Sequence, residues 1–507
     1  MTRLHNEANG WSGGGVVAKT VIIVVGGSEP PHHYGAPHIM MLVVLLSCVQ
    51  MASAAAGGYV GVSSNGLVAV ANSLVPSLVK KVQGLKVKDV KTHKSGFDIH
   101  LYDMRVNEFK CPDSCIVPEF HSNGEIEVKV PKFKIEFHIH ASVTKSFFHT
   151  STKCDARIGD GHISASGTLS PSGGSLQLSG VDASADVGHI DPNCGGGITG
   201  SIIDAISQIF YDKIKHQLDD LVQDQLKQVV EDQAKALLSG IDWTITLEKG
   251  LAAIDFTPQS VASTGDHLSL GVKAELVNPS HPEDPPAPSP TLPAWSSAAG
   301  DAYLQVLLST WSLDSVAYTY WRLGRLHRTI TRRDAPELNT TFVGLFAPVL
   351  LFKYPKHWMA IESAFSETPR AVIDASGVLA HAPATFTFNV VNASGGVVEQ
   401  AFIVGANVTV SLDFGVVTGA KLALSANITK ATFPLEIVHS NVGTVHVGGL
   451  SNFTNKLVDN VLLPAVNGLL SKGLPLPTSP ALTIESATVS PLAGYLLVAT
   501  KFQVKPP

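Results

Sequence analysis

Residues 125–140 read EIEVKVPKFKIEFHIH, and their alternation decides the fold class. Ile126, Val128 and Val130 are apolar at even positions; after Pro131 the apolar set is Phe133, Ile135, Phe137 and Ile139, all odd. Strand side chains alternate between faces, so a one-residue slip sends the apolar set to the other side. A strand that keeps one buried face through such a switch must bulge or bend at the proline. Gly- and Ser-rich turns then separate short alternating runs such as 175–179. Region 90–190 is therefore expected to form a curved antiparallel sheet.

Helices flank this region. Ser63 or Ser64 can cap a first one, with Leu67, Ala71, Leu74, Leu78, Val82 and Leu85 at three- and four-residue steps. Pro76 should kink it, and Lys80, Lys81, Lys86 and Lys88 suit the negative end of its dipole. Residues 201–238 read as one further helix, with a drifting apolar stripe through Ile206, Phe210, Ile214, Leu218 and Leu226 and acidic residues opposite. At about 1.5 Å per residue it would span roughly 55 Å, so an elongated molecule is expected.

The stretch 278–294, NPSHPEDPPAPSPTLPA, holds seven prolines in seventeen residues and can be neither helix nor central strand. As a semi-rigid linker it would divide the chain into 57–277 and 295–507, two parts so close in length that they point to duplication. The second part offers a helix at 341–353 that is apolar nearly all round, and so is buried or covers something apolar. Strands are expected at 384–391, 400–412 and 420–428, and an amphipathic helix at 452–472. From Leu457 the text LVDNVLLPAVNGLLSKGLPL echoes NSLVPSLVKKVQGLKV of the first helix.

Across all 507 residues, Lys+Arg 36 against Asp+Glu 42 leaves a net charge of −6, with no basic footprint for nucleic acid. Charged residues make up 15%, too few for a coiled coil, and 45% hydrophobic residues exclude bulk disorder. The apolar surplus must line an interior site or meet lipid. Past the N-terminus no apolar run reaches the roughly 18 residues of a membrane span; 342–352, FVGLFAPVLLF, is too short.

Residues 40–50, MMLVVLLSCVQ, followed by an A-x-A pattern ending at Ala54, read as a secretory signal within a leader spanning 1–56, with translation starting at Met40 or Met41. The rival reading is a signal anchor starting near Val16. With Cys48 lost in the leader, Cys111, Cys115, Cys154 and Cys194 remain, an even set with three possible disulfide connectivities. A local Cys111–Cys115 pair fits a tight turn, and Cys154–Cys194 would then be the second. Their spacing matches no zinc module. Asn339, Asn392, Asn407, Asn427 and Asn452 head glycosylation sequons, whereas Asn278 is excluded by the proline after it.

No nucleophile elbow, zinc-protease helix motif or phosphate loop occurs. His138 and His140 point the same way from a strand, as two metal ligands would, but they share the wet face with Lys132, Lys134 and Glu136 and lack a third ligand nearby. No metal, cofactor or catalytic set is expected.

Several stretches in order carry a resemblance: the helix from Gly66 to Leu85, 97–106 (FDIHLYDMRV), the proline linker, His439-Ser440-Asn441-Val442-Gly443, 462–475 (LLPAVNGLLSKGLP) and Gly494-Tyr495-Leu496-Leu497. Over 57–507 the chain resembles the family of bactericidal/permeability-increasing, lipopolysaccharide-binding, phospholipid transfer and cholesteryl ester transfer proteins. The resemblance implies an α+β boomerang: two domains, each a curved antiparallel β-barrel with long amphipathic helices, joined by a central sheet. It also implies an apolar pocket for acyl chains in each domain. Two departures matter. Members that bind lipopolysaccharide carry basic tip hairpins, and the matching segments here offer Lys91, Lys94, Lys145 and Lys153. Residues 79–157 hold fourteen Lys and Arg against ten Asp and Glu, a net of only +4. The family's usual disulfide reaches into the long helix, where this chain has no cysteine; Cys194 lies just before it.

The expected function is a secreted lipid-binding or lipid-transfer glycoprotein, meeting a membrane or lipid particle transiently. Leu67, Ala71, Leu74, Leu78, Ile206, Phe210 and Ile214 are the candidate lining of the first pocket; Phe342, Leu345, Leu350, Leu457 and Leu462 are candidates for the second. The competing reading of each is ordinary core. The alternatives are a lipopolysaccharide-recognising defence protein and a secreted lipid esterase.

Overall fold

The computed structural model describes residues 56–111, 115–195, 199–281, 292–418 and 422–505. The expected leader with its signal at 40–54, and residues 282–291 of the linker, lie outside the described residues. The fold is α+β, and every pairing between described strands is antiparallel.

The strand Glu125–Lys145 crosses the first eight-stranded sheet between Phe97–Lys110 and Phe148–Ser172. Its register against Phe148–Ser172 shifts between Val130 and Phe133 and again before Ile135. This is the bulge that the phase switch at Pro131 requires. Gly161 faces the bulge, where an added Cβ would lie 2.5 Å from the Phe133 ring. Beyond it Phe133, Ile135, Phe137 and Ile139 are all buried.

Helix α1 (Ser64–Val82) starts where Ser63 Oγ accepts the Gly66 N–H, and it runs through Pro76 without a break. The second helical region is two α-helices, α2 (Gly200–Ile209) and α3 (Lys215–Leu238), joined by a π turn at Phe210–Ile214. The first half is then repeated in outline. Helix α4 (Thr310–Arg322) follows a strand and is capped by Ser309 Oγ accepting the Ser312 N–H. A second eight-stranded sheet follows, around Gly377–Val391 and Val397–Val417. Last come α7 (Val447–Leu457) and α8 (Leu463–Leu470), joined by another π turn at Val458–Leu462.

Two expectations change. The single helix at 341–353 is two short ones, α5 (Thr340–Val343) and α6 (Val349–Lys353), because Pro348 forms the N-cap of the second. The echo of the first helix in 457–476 is not a correspondence in topology: α1 matches α4, and α2–α3 matches α7–α8.

A six-stranded sheet joins the halves in the order Pro258–Thr264, His267–Val272, Gly58–Ser63, Leu304–Ser309, Tyr495–Val504, Leu482–Leu492. Its first three strands come from the first half and its last three from the second. Gly58–Ser63 is the seam, pairing with His267–Val272 on one side and Leu304–Ser309 on the other. The seam has no room for side chains at its glycines. A Cβ on Gly57 would fall 2.0 Å from the Lys273 carbonyl oxygen, and one on Gly61 2.8 Å from the Trp295 ring. Buried apolar clusters fill the first lobe, the second lobe and the centre.

Two disulfides form, Cys111–Cys115 and Cys154–Cys194. The second ties Phe148–Ser172 to His189–Cys194, just ahead of α2. Loop closure entropy grows with loop length, giving about 4 kcal/mol for a separation of 40 residues and about 2 kcal/mol for one of 4. Urea titration should therefore show Cys194→Ser losing about twice the stability that Cys115→Ser loses.

Candidate functional site

A cavity of about 280 Å³ lies between α1, the C-terminal half of α3, the inner face of the first sheet and the central sheet. Helix α1 contributes Leu67, Val70, Ala71 and Leu74; α3 and the segment after it contribute Val230, Ala234, Leu237, Leu238, Ile241 and Trp243. Across from them the sheet is small at Ala165, Ser166 and Gly167, and the seam supplies Val60 and Val62. Leu67, Val70 and Leu74 are only half-buried although they face inward. The core side chains of the same lobe, such as Ile135 and Phe137, are fully buried. The helix stripe thus meets space where the rest of the lobe is filled. Polar lining is confined to Ser166, Gln233, Thr478 and Ser479.

A second hollow of about 480 Å³ shares six wall residues with the first: Leu176, Leu178, Ala234, Leu238, Ile241 and Trp243. Its other lining includes Gln177, Glu231, Lys235 and Ser239, all exposed. The groove between α3 and Ser175–Asp186 therefore lies against the cavity, its polar rim backed by the shared apolar side chains. The buried Trp243 Nε1 has no hydrogen-bond partner.

The remaining expected pocket residues fall elsewhere. Leu78 is buried in the first-lobe cluster, as are Ile206, Phe210 and Ile214, with Phe210 6.0 Å edge-on from Phe137. In the second half Leu350 and Leu457 are core, Leu462 packs half-buried against the same cluster, and Phe342 and Leu345 are exposed. The stripe on 201–238 does reach the cavity, but through its last turns. Apolar periodicity marks the inward face of a helix and cannot say where along it the interior is empty.

Of the candidate basic tip, Lys94 Nζ sits 3.0 Å from Asp212, and Lys145 lies over the Phe97 ring at 4.6 Å. Lys91 and Lys153 are exposed. Phe147 stands fully in solvent beside them, with Phe148 half out. The sequon residues Asn392, Asn407, Asn427 and Asn452 are exposed, while Asn339 is half-buried and caps α5 by accepting the Thr341 and Phe342 N–H groups.

His138 Nδ1 is 2.7 Å from Asp155, and its ring packs against His140. Among the described residues, the group with metal-like geometry is Glu119, His121 and Glu127. Lys129 occupies it, 2.6 Å from Glu119 and 3.3 Å from Glu127. Burial pushes the Glu127 carboxyl up, but hydrogen bonds from His121 and Lys129 outweigh it and hold the carboxyl below its ordinary value. The alternate residues of the same strands, Phe120, Ile126 and Val128, line the cavity, so this charged cluster tiles the outside of its wall.

The family model described as the LBP / BPI / CETP family, C-terminal domain, matches residues 249–504. A bactericidal permeability-increasing protein of Sebastes schlegelii is 24% identical over 241 residues, 46% of this chain and 50% of that protein. A lipopolysaccharide-binding protein of Rattus norvegicus is 29% identical over 245 residues, 47% of this chain and 48% of its own length. The chain thus spans about half the length of the curated relatives it matches. The crystal structure of lipopolysaccharide binding protein superposes with a TM-score of 0.60 at 17% identity, covering 89% of this chain and 99% of that one, a likeness of fold. With its antiparallel sheets, its helices and a family match over half its length, this chain belongs to the LBP / BPI / CETP family.

Proposed function

We propose that this chain is a secreted, non-enzymatic lipid carrier that holds an acyl chain of a phospholipid-like ligand in the first-lobe cavity. The observation that carries the reading is the apolar space walled by Leu67, Leu74, Leu237 and Leu238, next to the polar rim at Glu231 and Lys235. Each buried CH₂ is worth about 0.8 kcal/mol against water. A bilayer interior offers the same, so transfer between membrane and cavity is nearly balanced and the carrier can both load and unload. The two disulfides and the exposed sequons suit an extracellular setting.

Recognition of lipopolysaccharide is the second reading. It is favoured by the exposed Phe147 and Phe148 beside Lys145, and by the similarity to the lipopolysaccharide-binding protein of Rattus norvegicus. The Lys94–Asp212 pair weakens it by removing one cation from the tip.

Native mass spectrometry of the secreted protein should find co-purified acyl lipid. Narrowing the cavity with Leu67→Trp and Leu74→Trp should cut the lipid-bound fraction about tenfold, with the melting temperature little changed. A protein that emerges empty and takes no lipid from vesicles overturns the carrier reading. The two readings also part on salt. Uptake of a neutral lipid should barely change as ionic strength rises, whereas tip-mediated lipopolysaccharide binding should fall steeply. Lys145→Glu would then abolish the second and spare the first.

A further inference from the structure

The second lobe ends in a surface that no other part of the described chain covers. The apolar run 342–352 turns one side inward: Val343, Phe346, Ala347 and Leu350 are buried. Its other side is bare, with Leu345 71% exposed, Phe352 84% exposed, and Phe342, Val349 and Leu351 more than a third exposed. The hairpin between Gly377–Val391 and Val397–Val417 meets it there. Lys353 Nζ on α6 lies 2.8 Å from Glu399, and Val397 and Val398 stand out beside that pair. The same end carries Trp358, paired with Val391, with the Arg332 guanidinium 5.2 Å from its ring. Strand Gly377–Val391 runs 14 steps from the centre to this end, about 46 Å at 3.3 Å per residue.

The patch is also locally cationic. Residues 328–358 hold five Lys and Arg against two acidic residues, and counting Glu399 of the hairpin leaves a net of +2 in a chain of net −6. Of the two acidic residues, Asp334 is bound to Arg328. Arg332, Arg333 and Lys356 are exposed around the apolar side chains. Protruding Leu, Phe and Val side chains ringed by cations match the boundary of a bilayer with anionic headgroups. A second copy of the chain would set this positive patch against itself, since a two-fold interface pairs like with like.

We propose that the tip of the second lobe, formed by α5 and α6, is a docking surface for anionic lipid bilayers. Leu345 and Phe352 insert among the acyl chains, while Arg332, Arg333 and Lys356 meet the headgroups. The inference goes beyond the carrier reading, because the cavity lies in the other lobe and is measured separately.

The test is flotation of the full chain with vesicles of phosphatidylcholine alone and of phosphatidylcholine with phosphatidylserine. Wild type should float with the anionic vesicles and much less with the neutral ones. Leu345→Asp with Phe352→Asp should weaken flotation at least tenfold, and Arg333→Glu with Lys356→Glu should remove the preference for phosphatidylserine. Circular dichroism checks the fold, and the milder Leu345→Ser keeps the test valid if the double variant misfolds. Equal flotation of variants and wild type overturns the proposal, as does wild type that floats with neither vesicle. So does a dimer, seen by light scattering, that the Asp variants split. Cavity lipid, read by native mass spectrometry, should be the same in all variants. An empty cavity with intact docking would sink the carrier reading and leave this one standing.

Discussion

The structure depends on the backbone pairing of Gly58–Ser63 with strands from both halves. Its residues pair along two edges at once, five of them with both neighbours, and so join strands of the two halves into one sheet. Backbone hydrogen bonds are modest singly, but buried groups left unpaired are costly, so a seam of this kind tolerates no slip. The glycines at 57, 58 and 61 let Lys273, Leu307 and Trp295 close over it. The seam also forms part of the cavity wall through Val60 and Val62, so the joint and the candidate binding space are one construction.

The first lobe is packed at one end and hollow at the other, and side-chain size accounts for the difference. Far from the seam, Phe133, Phe137, Ile139 and Phe210 fill the space between sheet and helices. Near it the sheet offers Ala165, Ser166 and Gly167, and α3 offers Ala234, leaving a gap between leucines. A void in a protein interior forfeits contacts on its lining. In the carrier reading proposed above, the acyl chain supplies those contacts.

Much of this is legible in the sequence. The phase switch at Pro131 required a bulge, and the register shifts there; Ser63 was readable as a cap, and it is one. The order of several short stretches pointed to the family. Other features were hidden for physical reasons. Helix α4, TWSLDSVAYTYWR, mixes small polar and aromatic residues, and its buried side carries Ser312, Ser315 and Thr319, so no apolar stripe announces it. Residues 341–353 have the hydrophobicity of a buried helix, yet Pro348 splits them and most of their side chains remain outside. Leu67 and Leu74 could be placed on an inward face, but Trp243, Leu237 and Leu238 could not be tied to the same space, because that depends on where the sheet runs out of large residues.

The seam has a consequence for how the chain is made. Gly58–Ser63 is among the first described segments to leave the ribosome, yet its two partners lie more than two hundred residues downstream. At about 5–20 residues per second, it waits on the order of tens of seconds with both edges open. Phe502, which helps close the cavity, is made later still. Pairings this distant in sequence form slowly. The newborn chain therefore builds its first lobe around an unclaimed ribbon, a form that needs shelter from neighbours until both partner strands have emerged.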